Sequence, residues 1–118
     1  MVELAGTWRF TALEGAQVDG SRRATPWLTF DGDGQVFGLA GVNRVRGTWR
    51  LDGDTLTFGP VVSTLMAGPP EAMTCEHQVL RLLGDPVEAS APDGDTLELS
   101  GVVQARLTRD PHAADQQV

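Results

Sequence analysis

Glu76 is the residue whose type and position could most directly support chemistry in this chain. It falls in the middle of an apolar helical pattern, where an ionised carboxylate costs several kcal/mol unless it is paired or hydrogen-bonded. Such a carboxylate can serve as a catalytic acid or base, or as a polar link between a helix and a sheet. We favour the polar link. Its expected partners are the polar residues at the bends of the predicted strands: Asn43, Arg44, Ser63 and Thr64.

Nucleophilic catalysis has little support in the residues. Only His77 and His112 could act as imidazole bases, and no serine stands in a Gly-x-Ser-x-Gly setting. Cys75 and His77 are two positions apart on the predicted helix, and side chains at that spacing do not face each other. We therefore expect Cys75 to fill space at the helix boundary and predict that the protein is not an enzyme.

Metal and cofactor sites are not indicated either. A single cysteine excludes a cysteine-based zinc cluster and an intramolecular disulfide. Acidic triplets begin at Asp31, Asp52 and Asp93, but they lack the longer acidic series and the terminal Glu of an EF-hand calcium loop. Asp-Gly pairs suit hairpin turns, so we interpret the triplets as turns and predict no metal and no cofactor.

Arginines on the outward side of predicted strands form the candidate ligand or partner patch: Arg9, Arg46, Arg50 and Arg106. The chain has 16 acidic and 9 basic residues, and its net charge of −7 argues against nucleic acid and anionic membrane surfaces as partners. The patch could be a solvated face, or it could bind a small anionic ligand or an unknown protein. We expect a monomer or a weak dimer.

Strand periodicity dominates the rest of the chain, because apolar residues recur at every second position. Further strands are predicted over residues 87–91, 96–100 and 102–108. The expected inward residues of the strands are Trp8, Phe10 and Ala12; Leu28 and Phe30; Val36, Gly38 and Ala40; Val45, Gly47, Trp49 and Leu51; and Leu97, Leu99, Val103, Ala105 and Leu107.

One helix interrupts the strands. Pro69 and Pro70 open it, and Gly84 ends it. Its apolar arc is predicted to contain Ala72, Met73, Val79, Leu80 and Leu83, with Glu76 at the centre. The predicted fold class is α+β: a curved antiparallel meander of about eight short strands wraps a single α-helix. Residues 1–109 form this domain, and residues 110–118 are expected to be a mobile tail.

An ordered series of motifs over about residues 4 to 108 resembles the META domain, also called the HslJ-like domain. The motifs are Gly6-Thr7-Trp8, Leu28-Thr29-Phe30, Gly38-x-x-Gly41-x-Asn43-Arg44-x-x-Gly47, Leu56-x-Phe58-Gly59, Ser63-Thr64-x-Met66-Ala67, and Glu76 with Leu80 and Leu83. The resemblance implies a structural role for the signature residues Gly6, Trp8, Asn43, Arg44, Gly47, Trp49, Thr64, Met66 and Glu76. It also implies a fold without established catalytic activity, found in bacterial heat-inducible and envelope-associated proteins and in a protist family linked to virulence and motility.

Two positions depart from the family pattern. Cysteine often stands in the family where this chain has Val42 and Gly68, so the bridge between those segments cannot form here. No signal-peptide core follows Met1, and the chain as given is therefore expected to be cytoplasmic. A periplasmic or envelope location is expected only if a leader was removed.

The sequence and the resemblance together lead to a functional expectation. We expect a non-enzymatic, stress- or envelope-associated binding or interaction module with an unknown ligand, whose functional surface is a sheet face or a strand edge. One alternative is a lipocalin-like barrel that carries a small apolar ligand. A second alternative is a small enzyme that uses Glu76 as an acid or base.

Overall fold

The computed structural model describes residues 2–18 and 25–113, and these form nine β-strands and one α-helix. The elements in chain order are β1 (Gly6–Leu13), β2 (Trp27–Phe30), β3 (Gln35–Leu39), β4 (Arg44–Asp52), β5 (Thr55–Phe58), β6 (Val62–Ser63), α1 (Pro70–Leu83), β7 (Val87–Ser90), β8 (Thr96–Ser100) and β9 (Gln104–Arg109). No helix in the described ranges is long and apolar enough to cross a membrane.

Eight of the strands close into an antiparallel barrel. Their order is β3-β2-β1-β9-β8-β7-β5-β4, and pairing between β3 and β4 completes the ring. The first half of β4 pairs with β3 and the second half pairs with β5. The short β6 pairs with the start of β4 on the side opposite β3. The antiparallel strands and the single helix agree with the predicted fold class, which described a curved sheet. The closed ring was expected only in the lipocalin-like alternative.

The helix lies at one end of the barrel. Consecutive antiparallel strands reverse direction, so the β1–β2 loop, the β3–β4 turn and α1 all meet at the same end. The first and last residues of α1 match the prediction, and the Gly84 N–H donates to the Arg81 carbonyl at the C-terminal end of the helix. The buried face is rotated from the predicted arc, and it contains Cys75, Glu76, Gln78, Val79, Leu82 and Leu83. Cys75 is therefore a core residue.

Large side chains fill the interior of the barrel. Trp8, Phe10 and Phe30 are each at most 1% exposed, and they pack with leucines from β2, β5, β8 and β9. The inward positions predicted for β2, β3, β8 and β9 are confirmed. Ala12 was wrongly predicted to face inward, because a β-bulge between Phe10 and Ala12 shifts the alternation and turns Leu13 inward instead.

The structured part of the chain continues past the predicted domain boundary at residue 109. The Asp110 N–H donates to the Thr7 carbonyl, and the Asp110 carboxylate binds Arg9 Nε at 3.0 Å. Ala113 is buried. Residues 110–113, which were predicted to belong to a mobile tail, are thus bound to the barrel, and the rest of the predicted tail, residues 114–118, lies outside the described ranges.

A substitution at Gly38 tests how closely the backbones of β2 and β3 pack at this position. A Cβ built on Gly38 would meet the Trp27 carbonyl oxygen and lie 3.0 Å from the Leu28 Cα, and neither backbone atom can move cheaply. We expect Gly38→Ala to lower the free energy of unfolding by about 2 kcal/mol or more in urea denaturation. Gly32→Ala is the matched control, because a Cβ there meets nothing within 4 Å. Equal stabilities of the two variants would contradict this packing.

Candidate functional site

The Glu76 carboxylate is 6% exposed and accepts three hydrogen bonds from the β3–β4 turn. Its Oε1 accepts from the backbone N–H of Val42 at 3.0 Å and of Asn43 at 2.6 Å. Its Oε2 accepts from the Asn43 side-chain Nδ2 at 2.7 Å. Donors on both oxygens replace the water that the carboxylate loses on burial. The helix is thereby tied to the turn through directional bonds.

The Asn43 side chain extends the same network to the loop after β6. Its Nδ2 also donates to the Met66 carbonyl at 2.9 Å. Its Oδ1 accepts from the Thr64 hydroxyl at 2.8 Å and from the Met66 N–H at 2.6 Å. A primary amide has two donor hydrogens and two acceptor lone pairs, and all four are used here. We call Asn43, Thr64, Met66 and Glu76 the clasp.

Gly41 allows the turn to approach the helix closely enough for the clasp to form. A Cβ on Gly41 would meet the Ala72 carbonyl oxygen and lie 3.1 Å from the Glu76 nitrogen. Two signature residues, Met66 and Arg44, contribute backbone groups to these contacts. The Met66 side chain is 55% exposed and only its backbone takes part, while Arg44 contributes its N–H to the Thr64 hydroxyl at 3.1 Å.

Gly6 and Trp8 belong to the opposite end of the barrel. The Trp8 indole N–H donates to the Leu4 carbonyl at 2.9 Å, and the Arg109 guanidinium lies 4.2 Å from the Trp8 ring centroid. A Cβ on Gly6 would lie 2.7 Å from Arg109 Nη1. Arg109 also donates to the Ala5 carbonyl. Sequence reasoning missed Arg109, because its role depends on the pairing of β1 with β9.

Gly47 and Trp49 lie further along β4. The Trp49 ring packs edge-on against Phe30, with ring centroids 5.6 Å apart, and its N–H donates to the Asp31 carbonyl at 3.1 Å. A Cβ on Gly47 would lie 3.1 Å from Val61 Cγ2. Both residues thus join β4 to its neighbours, and neither belongs to a cluster of polar side chains.

The four arginines of the predicted patch are not brought together. Arg9 and Arg106 lie on the adjacent strands β1 and β9, whereas β2 and β3 separate them from Arg46 and Arg50 on β4. Three of the four arginines also bind a carboxylate. Arg9 pairs with Asp110 at 3.0 Å, Arg50 with Asp52 at 3.2 Å, and Arg106 with Glu98 at 3.0 Å.

Arg44 and Arg46 differ from these three, because neither has a carboxylate partner among the described residues. Both are exposed on the same outward face of β4, two positions apart. The Arg46 guanidinium lies 5.3 Å from the Phe37 ring centroid. The alternation of β4 predicted that these two side chains share a face, but Arg44 was expected to be a signature residue and a partner of Glu76. The described hydrogen bonds of Glu76 come from Val42 and Asn43 instead.

The two arginines flank a surface groove of about 350 Å³ on β3, β4 and β6. Cross-strand register aligns Phe37, Arg46 and Val62 in one outward row. Leu39 and Arg44 lie in the next row. Thr64 extends this row on the β6 side of Arg44, where its N–H donates to the Arg44 carbonyl. We call the surface formed by the side chains of Phe37, Arg44, Arg46, Val62 and Thr64 the outer groove.

The acidic triplets act as turn residues where their contacts are described. Asp31 Oδ1 accepts from the N–H groups of Asp33 and Gln35, both at 2.9 Å. Asp93 Oδ1 accepts from the N–H groups of Asp95 and Thr96, and these backbone hydrogen bonds lower the pKa of Asp93. Within the described ranges, no group of three His, Cys, Asp or Glu side chains could hold a metal ion.

The fold and the clasp define a small antiparallel β-barrel with one helix secured across its end by a buried carboxylate. The META domain family model matches residues 2–114. The chain therefore belongs to the META domain family.

Solved structures share this fold at low sequence identity. An NMR structure of a protein from Burkholderia xenovorans has a TM-score of 0.71 and 23% identity, covering 91% of this chain and 83% of that one. A second NMR structure has a TM-score of 0.70 and 16% identity, covering 90% and 89%. A DUF4847 family protein from Bacteroides vulgatus has a TM-score of 0.62 and 15% identity, covering 92% and 94%. No curated protein matches the sequence.

Glu76→Gln tests the clasp. One carboxylate oxygen becomes an NH₂ group that must face an N–H donor, so we expect the free energy of unfolding to fall by about 2 to 3 kcal/mol. Urea denaturation measures the difference. Glu71→Gln is the matched control, because it removes the same charge from an exposed position in the first turn of the same helix. A Glu76→Gln protein as stable as the control would show that the clasp does not hold the helix.

Val42 and Gly68, the two positions that depart from the family pattern, are in direct contact. A Cβ built on Gly68 would meet Val42 Cγ2 and would lie 3.3 Å from the Val42 Cβ. This separation is close to the Cβ–Cβ distance of a disulfide, about 3.5 to 4.5 Å. The valine side chain occupies the space that a bridge would need.

The double substitution Val42→Cys with Gly68→Cys should therefore form an intramolecular disulfide on oxidation. Cysteine at position 42 removes the two valine methyl groups and makes room for the new side chain at position 68. We expect the oxidised protein to be roughly 3 kcal/mol more stable than its reduced form. Peptide mapping in a Cys75→Ser background identifies the bond, and a protein that oxidises only between molecules would contradict the geometry.

Proposed function

We propose that this META-domain protein is a non-enzymatic interaction module that binds an anionic group in the outer groove. The observation that carries the proposal is the pair Arg44 and Arg46, which lies beside apolar side chains and has no carboxylate partner among the described residues. The chain has a net charge of −7, so acidic side chains are plentiful, and other arginines of the barrel form ion pairs with them.

Charge and shape favour an anion that also carries apolar surface. Side chains two positions apart on a strand face are about 7 Å apart, so two guanidinium groups can converge on one carboxylate or phosphate. The anion would relieve the repulsion between them. Phe37 and Val62 provide apolar walls on either side of Arg46 in the same row. A ligand with charge alone would leave these walls unused.

The clasp supports the non-enzymatic part of the proposal. Glu76 is the carboxylate that could act as an acid or base, yet both of its oxygens accept hydrogen bonds from the turn. A reacting group would have to displace those donors and open the contact between helix and turn. The stress- or envelope-associated setting enters the proposal on the family resemblance alone.

The lipocalin-like alternative has less support. A carrier of an apolar ligand needs an open lumen, and the inward positions of this barrel hold Trp8, Phe10 and Phe30 in mutual contact with the leucines of the core. Helix residues Val79 and Leu82 pack into the same core from one end. A ligand could enter only by displacing these side chains.

An NMR titration with sodium benzoate tests the outer groove, because benzoate combines a carboxylate with an apolar ring. We expect amide shifts confined to residues 37–39, 44–46 and 62–64, and much smaller shifts with the neutral analogue benzamide. The double variant Arg44→Gln with Arg46→Gln should weaken benzoate binding at least about tenfold. Arg50→Gln is the control on the same strand, since Arg50 already binds Asp52. Shifts that are absent, or unchanged in the double variant, would contradict the proposal.

A further inference from the structure

The strand β6 has one free edge in an otherwise closed barrel. It pairs with β4 on one side, and no described strand pairs with its other side. The Thr64 N–H donates to the Arg44 carbonyl at 3.1 Å, so this residue points its backbone groups toward β4. Because successive residues of a strand point in opposite directions, the N–H and C=O of Ser63 face away from β4. They form a hydrogen-bonding edge for another strand.

Exposed apolar side chains concentrate at this edge. Of the four exposed large apolar side chains in the described ranges, three lie on β6 or directly after it: Val62 at 68%, Leu65 at 94% and Met66 at 55%. Exposed apolar side chains that cluster in this way mark interaction sites more often than scattered ones do. The edge therefore has both the backbone groups and the apolar surface that a strand-like partner requires.

The clasp holds this edge in place before any partner arrives. Thr64 and Met66 are both bonded to the Asn43 amide, which is itself bonded to Glu76 on the helix. A preformed edge loses little conformational freedom when it binds, so more of the interaction energy appears as affinity. The residues after β6 are thus fixed to the barrel by hydrogen bonds while their side chains stay exposed.

The two faces beside the edge differ in chemistry. An added strand would place alternate side chains next to Val62 and Thr64, in the rows that contain Arg46 and Arg44. The two arginines would be about 10 Å from the added backbone, a distance that an Arg and a Glu side chain span together. The outward side chains of the added strand should therefore be acidic.

On the other face, a second groove of about 400 Å³ adjoins the segment that leads into β6. It lies between that segment and the C-terminal turn of α1, and its lining side chains are apolar: Phe58, Pro60, Val61, Leu80 and Leu83. Side chains of the added strand that point toward this groove should therefore be apolar. The two faces together call for a partner with alternating acidic and apolar residues.

We infer that the free edge of β6 binds an extended segment of a partner protein, which adds to the sheet as a strand with alternating acidic and apolar side chains. The inference rests on the proposed function of the outer groove and specifies its partner. A second copy of this chain is a weaker occupant, because two chains of net charge −7 repel each other.

A capped peptide with the core Glu-Val-Glu-Val-Glu tests the inference by NMR with the full chain. Binding should slow the hydrogen exchange of the Ser63 amide, which a ligand lying only on the outer face would leave unchanged. Affinity should fall steeply with salt, and the Lys-Val-Lys-Val-Lys and Glu-Ser-Glu-Ser-Glu peptides should bind at least about tenfold more weakly.

Ser63→Pro removes the free-edge donor and keeps the Thr64 bond to β4, so we expect peptide affinity to fall about tenfold. Ser63→Ala is the matched control, because it removes the hydroxyl and keeps the N–H. Should Ser63→Pro fail to fold, N-methylation of alternate peptide nitrogens serves the same purpose: one methylated series should lose binding and the other should keep it.

The outcomes separate the inference from the proposed function. Peptide binding that needs Arg44 and Arg46 but neither protects the Ser63 amide nor responds to backbone changes would overturn strand addition and leave the outer groove standing. Benzoate binding without peptide binding would do the same. Failure of both probes would overturn both proposals. Amide shifts at residues 62–65 that depend on protein concentration would assign the edge to a second copy and overturn the inference.

Discussion

The buried carboxylate of Glu76 is the interaction on which the arrangement of this barrel end depends. Apolar contacts press α1 against the core, but such contacts have little direction and would tolerate rotation or sliding of the helix. Three hydrogen bonds to one carboxylate remove that freedom. Because Asn43 passes the constraint on to Thr64 and Met66, the same cluster also sets the position of β6 relative to the barrel.

This constraint connects the interior of the protein with its surface. β6 lies outside the closed ring and has only two residues, so pairing with β4 alone would hold it weakly. The bonds from Asn43 hold the chain immediately after it. The outer groove needs Val62 and Thr64 beside the arginines of β4, and their placement follows from this support. The buried clasp and the exposed outer groove are therefore supported by the same set of hydrogen bonds.

Much of this architecture could be predicted from the sequence, because its signals are local. Alternation identified the inward residues of β3, and the prolines and Gly84 delimited the helix. The isolation of Glu76 on an apolar stripe led to Asn43. Local patterns could not decide between an open and a closed sheet, since the ring includes the pairing of β1 with β9 across the length of the chain. The β-bulge between Phe10 and Ala12 could not be predicted either, because no Gly or Pro lies in that segment. The prediction of an arginine patch was wrong for two reasons. The order of the strands in the barrel separates the four arginines, and nearby carboxylates pair with three of them. Sequence periodicity shows neither the strand order nor the ion pairs.

Native-state hydrogen exchange at the clasp tests the central claim most directly. The amides of Val42, Asn43 and Met66 each donate to a clasp side chain, although they belong to two separate segments of the chain. If one cluster holds the turn, the loop and the helix, the three amides should share one opening free energy and respond together to denaturant. A Met66 amide that opens at markedly lower free energy than those of Val42 and Asn43 would contradict the account.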